Sequence, residues 1–302
     1  MFKLPSGVHI NNLIHDMRSW SWEAADILIL YSNILKDSKN RINILENQNY
    51  DDPVTQADLK VNEIIIQRIN ENYRDVDWEI LSEENVKKET SNCDIISDWL
   101  WVLDPLDGTK DFLQGTGNYA MHLSLNYKQK PFLGVVLIPE KKELWIANQK
   151  EVWCELRDGS IVKSNIAKHK SLREMVLVTS KNHSNQVLED LIKKIKFRKR
   201  IFMGSIGYKI VSILRGESDI YISLSLPGKS SPKDWDFAAP EALLTAAGGA
   251  ITTIDNEALI YNRPNFKQDG IIIASNNKQS HEKLCFEVKE IINKFNIYPF
   301  DS

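Results

Sequence analysis

Residues 101–112 read WVLDPLDGTKDF, and both fold and chemistry turn on them. An apolar run, Trp101 to Leu103, ends in two carboxylates three residues apart, Asp104 and Asp107. Pro105 predicts a turn between them, and Gly108-Thr109 predicts the opening of a helix. Carboxylates delivered by a strand end suit hard divalent cations, which take oxygen ligands. A helix N-terminus one residue later offers unpaired N–H groups to a phosphate. The two side by side imply metal-assisted phosphate chemistry.

Working outward, Leu13, Met17, Trp20, Ala24, Ile27, Tyr31 and Ile34 recur every three or four residues and predict a long amphipathic helix. Thr55 stands where an N-cap would, with Asp58 three residues later, a variant of the capping box. The helix that follows, to about Tyr73, has Val61, Ile64, Ile65 and Ile69 as its apolar face. Trp78–Leu81 reads as a short strand ending at Ser82-Glu83-Glu84. Beyond the quoted stretch, Met121–Tyr127, Leu133–Ile138, Glu143–Ala147 and Val152–Leu156 read as strands, the last closed by an Asp158-Gly159 turn. The polar, basic stretch Lys168–Arg173 is the expected boundary between an α+β domain, 1–170, and an α/β domain, 171–302. In the second, strands 176–179, 200–203 and 220–224 alternate with helices 184–195, 205–214 and 234–247. The expected fold class is α/β, a layered αβαβα sandwich with the site between its halves.

The chain has 302 residues, 42% hydrophobic and 26% charged, the balance of a soluble globular protein. A net charge of −3 argues against a polyanionic partner such as duplex DNA. Cys93, Cys154 and Cys285 are odd in number and lack CxxC spacing, as expected of reduced structural thiols in a cytoplasmic protein. No apolar run approaches the roughly 20 residues of a membrane span.

Five acids fall at element ends: Asp58, Glu83, Asp104, Asp107 and Asp236. Two carboxylates about 4 Å apart repel by roughly 4 kcal/mol at an effective dielectric near 20. Few basic residues lie near them in sequence, so cations are the easiest compensation. Mg²⁺ fits best, because it favours octahedral oxygen coordination shared with phosphate. The six histidines show no zinc-binding spacing. Asp236 also reads as a simple cap for a helix over 237–247.

PVTQAD (53–58), LSEE (81–84), WVLDPLDGTKDF and WDFAAPEALLTAAGG (235–249) together resemble the inositol monophosphatase superfamily of Mg²⁺-dependent, lithium-sensitive phosphatases. Lys110 after DGT, Pro240-Glu241 and SKNHSN (180–185) resemble most the 3′(2′),5′-bisphosphate nucleotidases of sulfur metabolism, which convert adenosine 3′,5′-bisphosphate to AMP and phosphate. The resemblance implies that Glu83, Asp104, Asp107, Asp236 and the Leu106 carbonyl hold Mg²⁺, with Glu84 as an alternative to Glu83. It implies that Gly108 and Thr109 present N–H groups to the phosphate, and that an Asp58–Thr109 dyad orients and deprotonates a metal-activated water for in-line attack. Asp236→Ala would then abolish turnover with little loss of fold. By the same resemblance Ser180, His183, Gly204, Ser205 and Lys209 line a nucleotide pocket, Lys209 meeting the 5′-phosphate. An exposed helix lysine is the competing reading of that residue, and a surface loop histidine that of His183.

A sister phosphatase for inositol phosphates or fructose bisphosphate shares the metal site and is the nearest alternative. A catalytically dead sensor would have lost an acid or Thr109, and a nucleic-acid binder lacks a basic face. The basic tract KKIKFRKR (193–200) reads as a solvated helix end, or else as steering for an anionic substrate. Trp99, Trp101 and Trp145 read as core. The expected partners are a small nucleotide or sugar phosphate, with a homodimer allowed and neither nucleic-acid polymer nor membrane.

Overall fold

A computed structural model describes residues 4–36, 56–88, 95–166, 170–180 and 185–298. Thr55, Cys93, Lys168 and His183 lie outside the described residues.

Two sheets organise the chain. The first holds seven strands in sequence order: β1 (Glu79–Ser82), β2 (Trp99–Asp107), β3 (Ala120–Tyr127), β4 (Lys130–Ile138), β5 (Glu143–Ala147), β6 (Val152–Leu156) and β7 (Ile161–Lys163). Only β1 and β2 pair in parallel; the remaining neighbours are antiparallel. The second sheet comprises β8 (Val176–Thr179), β9 (Lys199–Phe202), β10 (Ile220–Leu224), β11 (Ala250–Thr253) and β12 (Ile271–Ser275), in the order β11-β12-β10-β8-β9. Here β8, β9 and β10 are parallel and β12 runs antiparallel to both its neighbours, β10 and β11, so the second sheet is mixed.

Alternating side chains build the layers, because successive residues of a strand face opposite sides. Trp101 and Leu103 of β2 pack with α1 (Ile10–Lys36) and α2 (Gln56–Asn72). Leu100 and Val102 face the other way, toward α6 (Ile206–Leu214) and α7 (Asp234–Ala246). Val178 and Tyr221 of the second sheet meet those same helices. Leu177, Ile220 and Ile222 face outward onto α5 (Gln186–Ile195) and α8 (Lys278–Phe295). The result is the expected αβαβα sandwich. Gly134 lets α7 lie flat on β4, since a Cβ there would stand 2.7 Å from that of Ala242.

Differences from the sequence reading are local. In α1 the buried stripe runs from Ala24 to Leu28, Ser32 and Leu35, and Ile27, Tyr31 and Ile34 are only half-buried. Glu83–Lys88 forms a short helix, α3, directly after β1. Trp99, Trp101 and Trp145 are core residues. Among the described residues no helix is long and apolar enough to cross a membrane.

Candidate active site

The predicted turn at Pro105 is absent. Instead β2 runs through DPLD to Asp107, with a register shift between Asp104 and Asp107. Asp104 pairs with His122, and Asp107 with Ala120, so one extra residue bulges out of β2. Proline is tolerated at a bulge, where its missing N–H breaks no ladder bond. The bulge also has a chemical consequence. Residues three apart in a regular strand point to opposite faces, whereas one added residue returns both carboxylates to the same face.

Gly108 then turns the chain. Its φ of 90° is left-handed, and a Cβ would stand 3.0 Å from the Asn118 carbonyl oxygen and 3.2 Å from the Ser205 nitrogen. A six-residue helix, α4 (Thr109–Gln114), follows. The Thr109 hydroxyl donates to the Leu106 carbonyl oxygen at 3.2 Å, and the Leu106 N–H donates to Asp104 Oδ1 at 3.1 Å.

From the second half, α7 brings Asp236. Its Oδ2 accepts the Lys233 N–H at 2.6 Å, so Asp236 does cap its helix, which begins at Asp234. One oxygen each of Asp104, Asp107 and Asp236 lies within 4.8 Å of the others. Glu83 at the start of α3 lies beside the Asp104 carboxyl, and Lys87 pairs with both Glu83, at 3.1 Å, and buried Glu84, at 3.0 Å.

The electrostatics divide the cluster. Burial, then Glu83, Asp107 and Asp236, push the Asp104 carboxyl well above the ordinary range. Burial, then Asp107 and Glu83, push Asp236 up to about 7. Burial would also raise Asp107, but His122, Lys209 and Ser205 outweigh it and hold that carboxyl below its ordinary value. Asp107 Oδ2 accepts the Ser205 hydroxyl at 2.6 Å and the Gly207 N–H at 3.0 Å, both from the start of α6, and His122 Nε2 stands 3.2 Å away.

A hard cation fits this set. Mg²⁺–oxygen bonds of about 2.1 Å place opposite ligands about 4.2 Å apart, within the span of the triad, and the donors are all oxygen. A pH test follows. The raised carboxyls bind protons in the folded chain that the unfolded chain has already released. Stability without metal is therefore expected to fall as pH rises from 3.8 through about 7. Cations compete with those protons, so added Mg²⁺ should raise the Tm far more at pH 8 than at pH 5. Thermal melts with Mg²⁺ and with EDTA check this; equal Mg²⁺ shifts at both pH values would refute it.

The other expected residues divide. Asp58 is buried in the first turn of α2. One turn on, Asn62 bonds the Ser82 hydroxyl and Asn85, which flank Glu83 and Glu84, so the face of α2 carrying Asp58 is turned toward α3. The Thr109 hydroxyl, implied partner of Asp58, donates to the Leu106 carbonyl. Ser205 is fully buried, caps α6 and holds Asp107. Lys209 is neither an exposed helix lysine nor an open phosphate contact. It is fully buried, with Nζ donating to the Gly204 carbonyl at 2.6 Å, and burial pulls its ammonium down to about 8 against the pull of Asp107, Asp236 and Asp111. Gly204 packs on Asp111, whose Oδ2 would stand 2.1 Å from an added Cβ. Gly204→Ala is accordingly expected to cost about 1–3 kcal/mol, read from a urea melt. Ser180 follows β8, half-buried.

A groove of about 1260 Å³ lies elsewhere, between α5 and α8. Lys193 and Lys194 line it, so these two lysines of the basic tract do not face the carboxylates. Sequence reasoning missed His122, which carries no motif signal.

Comparison with known proteins agrees with this geometry. The model of the inositol monophosphatase family matches residues 17–293. The chain belongs to that family. It is 34% identical over 212 residues to a 3′(2′),5′-bisphosphate nucleotidase CysQ of Buchnera aphidicola, covering 70% of this chain and 74% of the relative. It is 26% identical over 283 residues to 3′(2′),5′-bisphosphate nucleotidase 1 of Dictyostelium discoideum, covering 81% and 88%. The fold is shared with the extragenic suppressor protein suhB of Bartonella henselae, with a TM-score of 0.71, 19% identity and coverage of 94% and 99%. This inositol monophosphatase family member is thus a phosphoric monoester hydrolase of that superfamily.

Proposed function

We propose that the chain removes the 3′-phosphate of adenosine 3′,5′-bisphosphate, giving AMP and phosphate, with Mg²⁺ held by Glu83, Asp104, Asp107, Asp236 and the Leu106 carbonyl. The observation that carries the metal half is the buried triad of carboxylates within 4.8 Å of one another. Support for the nucleotide comes from relatives named as bisphosphate nucleotidases and from Lys110 after DGT.

Mg²⁺ bound there would supply a water of lowered pKa and positive charge against the phosphoryl oxygens. The chain's own residues do the rest. Gly108, whose missing side chain lets Asn118 and Ser205 close in behind the turn, would leave its own N–H and that of Thr109 for the phosphate. Asp58 would take the proton of the attacking water. The Thr109 hydroxyl, already on the Leu106 carbonyl, aims that carbonyl and so acts on the metal as well as the phosphate. Lys209, sealed behind Asp107, balances charge from within.

Li⁺ is expected to inhibit by competing for one weakly held Mg²⁺ position. A cytoplasmic setting agrees with Cys154 and Cys285, both free and buried.

The test is phosphate release from adenosine 3′,5′-bisphosphate, inositol 1-phosphate and fructose 1,6-bisphosphate, with Mg²⁺ and with EDTA. Mg²⁺-dependent preference for the nucleotide is the expected result. Preference for a sugar phosphate would keep the metal site and overturn the substrate.

A further inference from the structure

His122 lies on β3 opposite Asp104 and is 1% exposed. Residues paired across a sheet share a face, so its ring enters the layer between the sheets on the side of the carboxylates. There it touches three elements. Nδ1 bonds the Trp235 carbonyl oxygen at 3.2 Å, in the first turn of α7. Nε2 stands 3.2 Å from Asp107 Oδ2, at the end of β2. The ring lies against Gly207 of α6, where an added Cβ would come within 2.1 Å of Nε2.

An imidazole in this place is costly unless its polar atoms are used, because burying such a group without partners costs several kcal/mol. Its same-face neighbours on β3, Ala120 and Ser124, are small and fully buried, whereas Met121 and Leu123 face the other layer. What distinguishes position 122 is what it spans. On one side is Asp107, delivered by the first sheet; on the other is the carbonyl of the residue before Asp236, delivered by the second half. Among the described residues Nε2 faces Asp107 without an aligned hydrogen bond, whereas Nδ1 is aligned on the Trp235 carbonyl of α7. The ring is therefore a spacer anchored on the Asp236 helix and pressed against Asp107.

We propose that His122 is a positioning residue that sets the separation of Asp107 and Asp236, and thereby the affinity of the site for its divalent cation. This rests on the metal reading above. Groups that orient a ligand from behind typically change metal affinity or activity 10- to 100-fold when removed. A spacer should act on cation affinity and leave substrate affinity at saturating cation unchanged, whereas a mere core residue would lower stability and cation binding would follow only the folded fraction.

The experiment is a calorimetric titration of Mn²⁺ into substrate-free protein: wild type, His122→Phe and His122→Asn. Melting temperatures and KM at saturating Mg²⁺ are measured alongside. Phenylalanine keeps the ring and removes both nitrogens; asparagine restores a donor toward Trp235. Expected are a folded His122→Phe protein with Mn²⁺ affinity roughly 10- to 100-fold weaker, KM within about twofold of wild type, and recovery of a good part of the loss in His122→Asn. Wild-type affinity in folded His122→Phe would overturn the proposal, as would a loss that asparagine does not reduce. Should the phenylalanine protein fail to fold, His122→Asn decides alone, by an affinity measurably below wild type or equal to it. If wild type itself binds no Mn²⁺, the metal reading falls first, and the two failures are distinct.

Discussion

Asp236→Asn is expected to give a folded protein whose phosphate release is about a thousandfold or more below wild type. The carboxylate is the second half's contribution to a triad otherwise delivered by β2. Removing one charged oxygen from a metal site forfeits several kcal/mol of charge stabilisation, and each 1.4 kcal/mol is a factor of ten in rate. Asparagine is the right replacement, because Asp236 Oδ2 also caps α7 through the Lys233 N–H, and an amide oxygen keeps that bond. Alanine would remove the cap as well, at about 1 kcal/mol. The same substitution should raise stability in EDTA at pH 8, since the charge it deletes is one that burial, Asp107 and Glu83 all oppose. A kinetic assay with paired melts checks both halves. Wild-type turnover would remove Asp236 from the mechanism, and a large loss of Tm would make it a structural residue.

Trp101→Ala carries the largest expected effect on the fold, a loss of about 3–5 kcal/mol of unfolding free energy. The indole is fully buried where α1 and the first sheet meet. Its ring centroid lies 6.0 Å from that of Trp20 on α1 and 5.3 Å from that of Trp78, which in turn stands 4.9 Å from that of Tyr73 at the end of α2. One deletion therefore empties the contact through which two helices rest on β2, three residues before Asp104. Trp101→Phe should cost less, because the ring contacts survive and the indole N–H has no hydrogen-bond partner among the described residues. Urea denaturation measures the difference. A cost near 1 kcal/mol for alanine would mean that the neighbouring rings collapse into the space.

What could be read from the sequence follows the physics of each segment. β2 and the carboxylates were legible because an apolar run ending in acids admits few other uses. The strand edges of β5 and β6 follow from alternation and turn residues, whereas β4 begins three residues before the expected Leu133. Pro105 misled because a proline in a strand usually ends it; only the pairing register shows the bulge that keeps the strand going and turns Asp107 to the side of Asp104. The burial of Lys209 and Ser205 escaped the sequence reading for a related reason. Every residue of α6 is buried, since the helix lies between two sheets, so no polar face marks which side chains point outward. A lysine there looks like any surface lysine until the second sheet covers it. The reading stops at Ala247 and leaves β11, β12 and α8 unassigned, although Leu284, Val288 and Ile292 recur at helical spacing. His122 sits in an ordinary alternating strand, and its role depends on contacts with residues 15 positions before it and 113 after, which no local pattern encodes.

The central claim is that these carboxylates form one cation site spanning both halves of the chain. The most direct measurement is a crystal structure of the protein soaked in Mn²⁺, with anomalous scattering used to locate the metal. The account predicts a peak about 2.2 Å from oxygens of Asp104, Asp107 and the Leu106 carbonyl, or of Asp107 and Asp236, with any second peak about 3.5–4 Å away. A protein that takes up Mn²⁺ only at surface acids, with Asp104, Asp107 and Asp236 bare and protonated at pH 8, would contradict it.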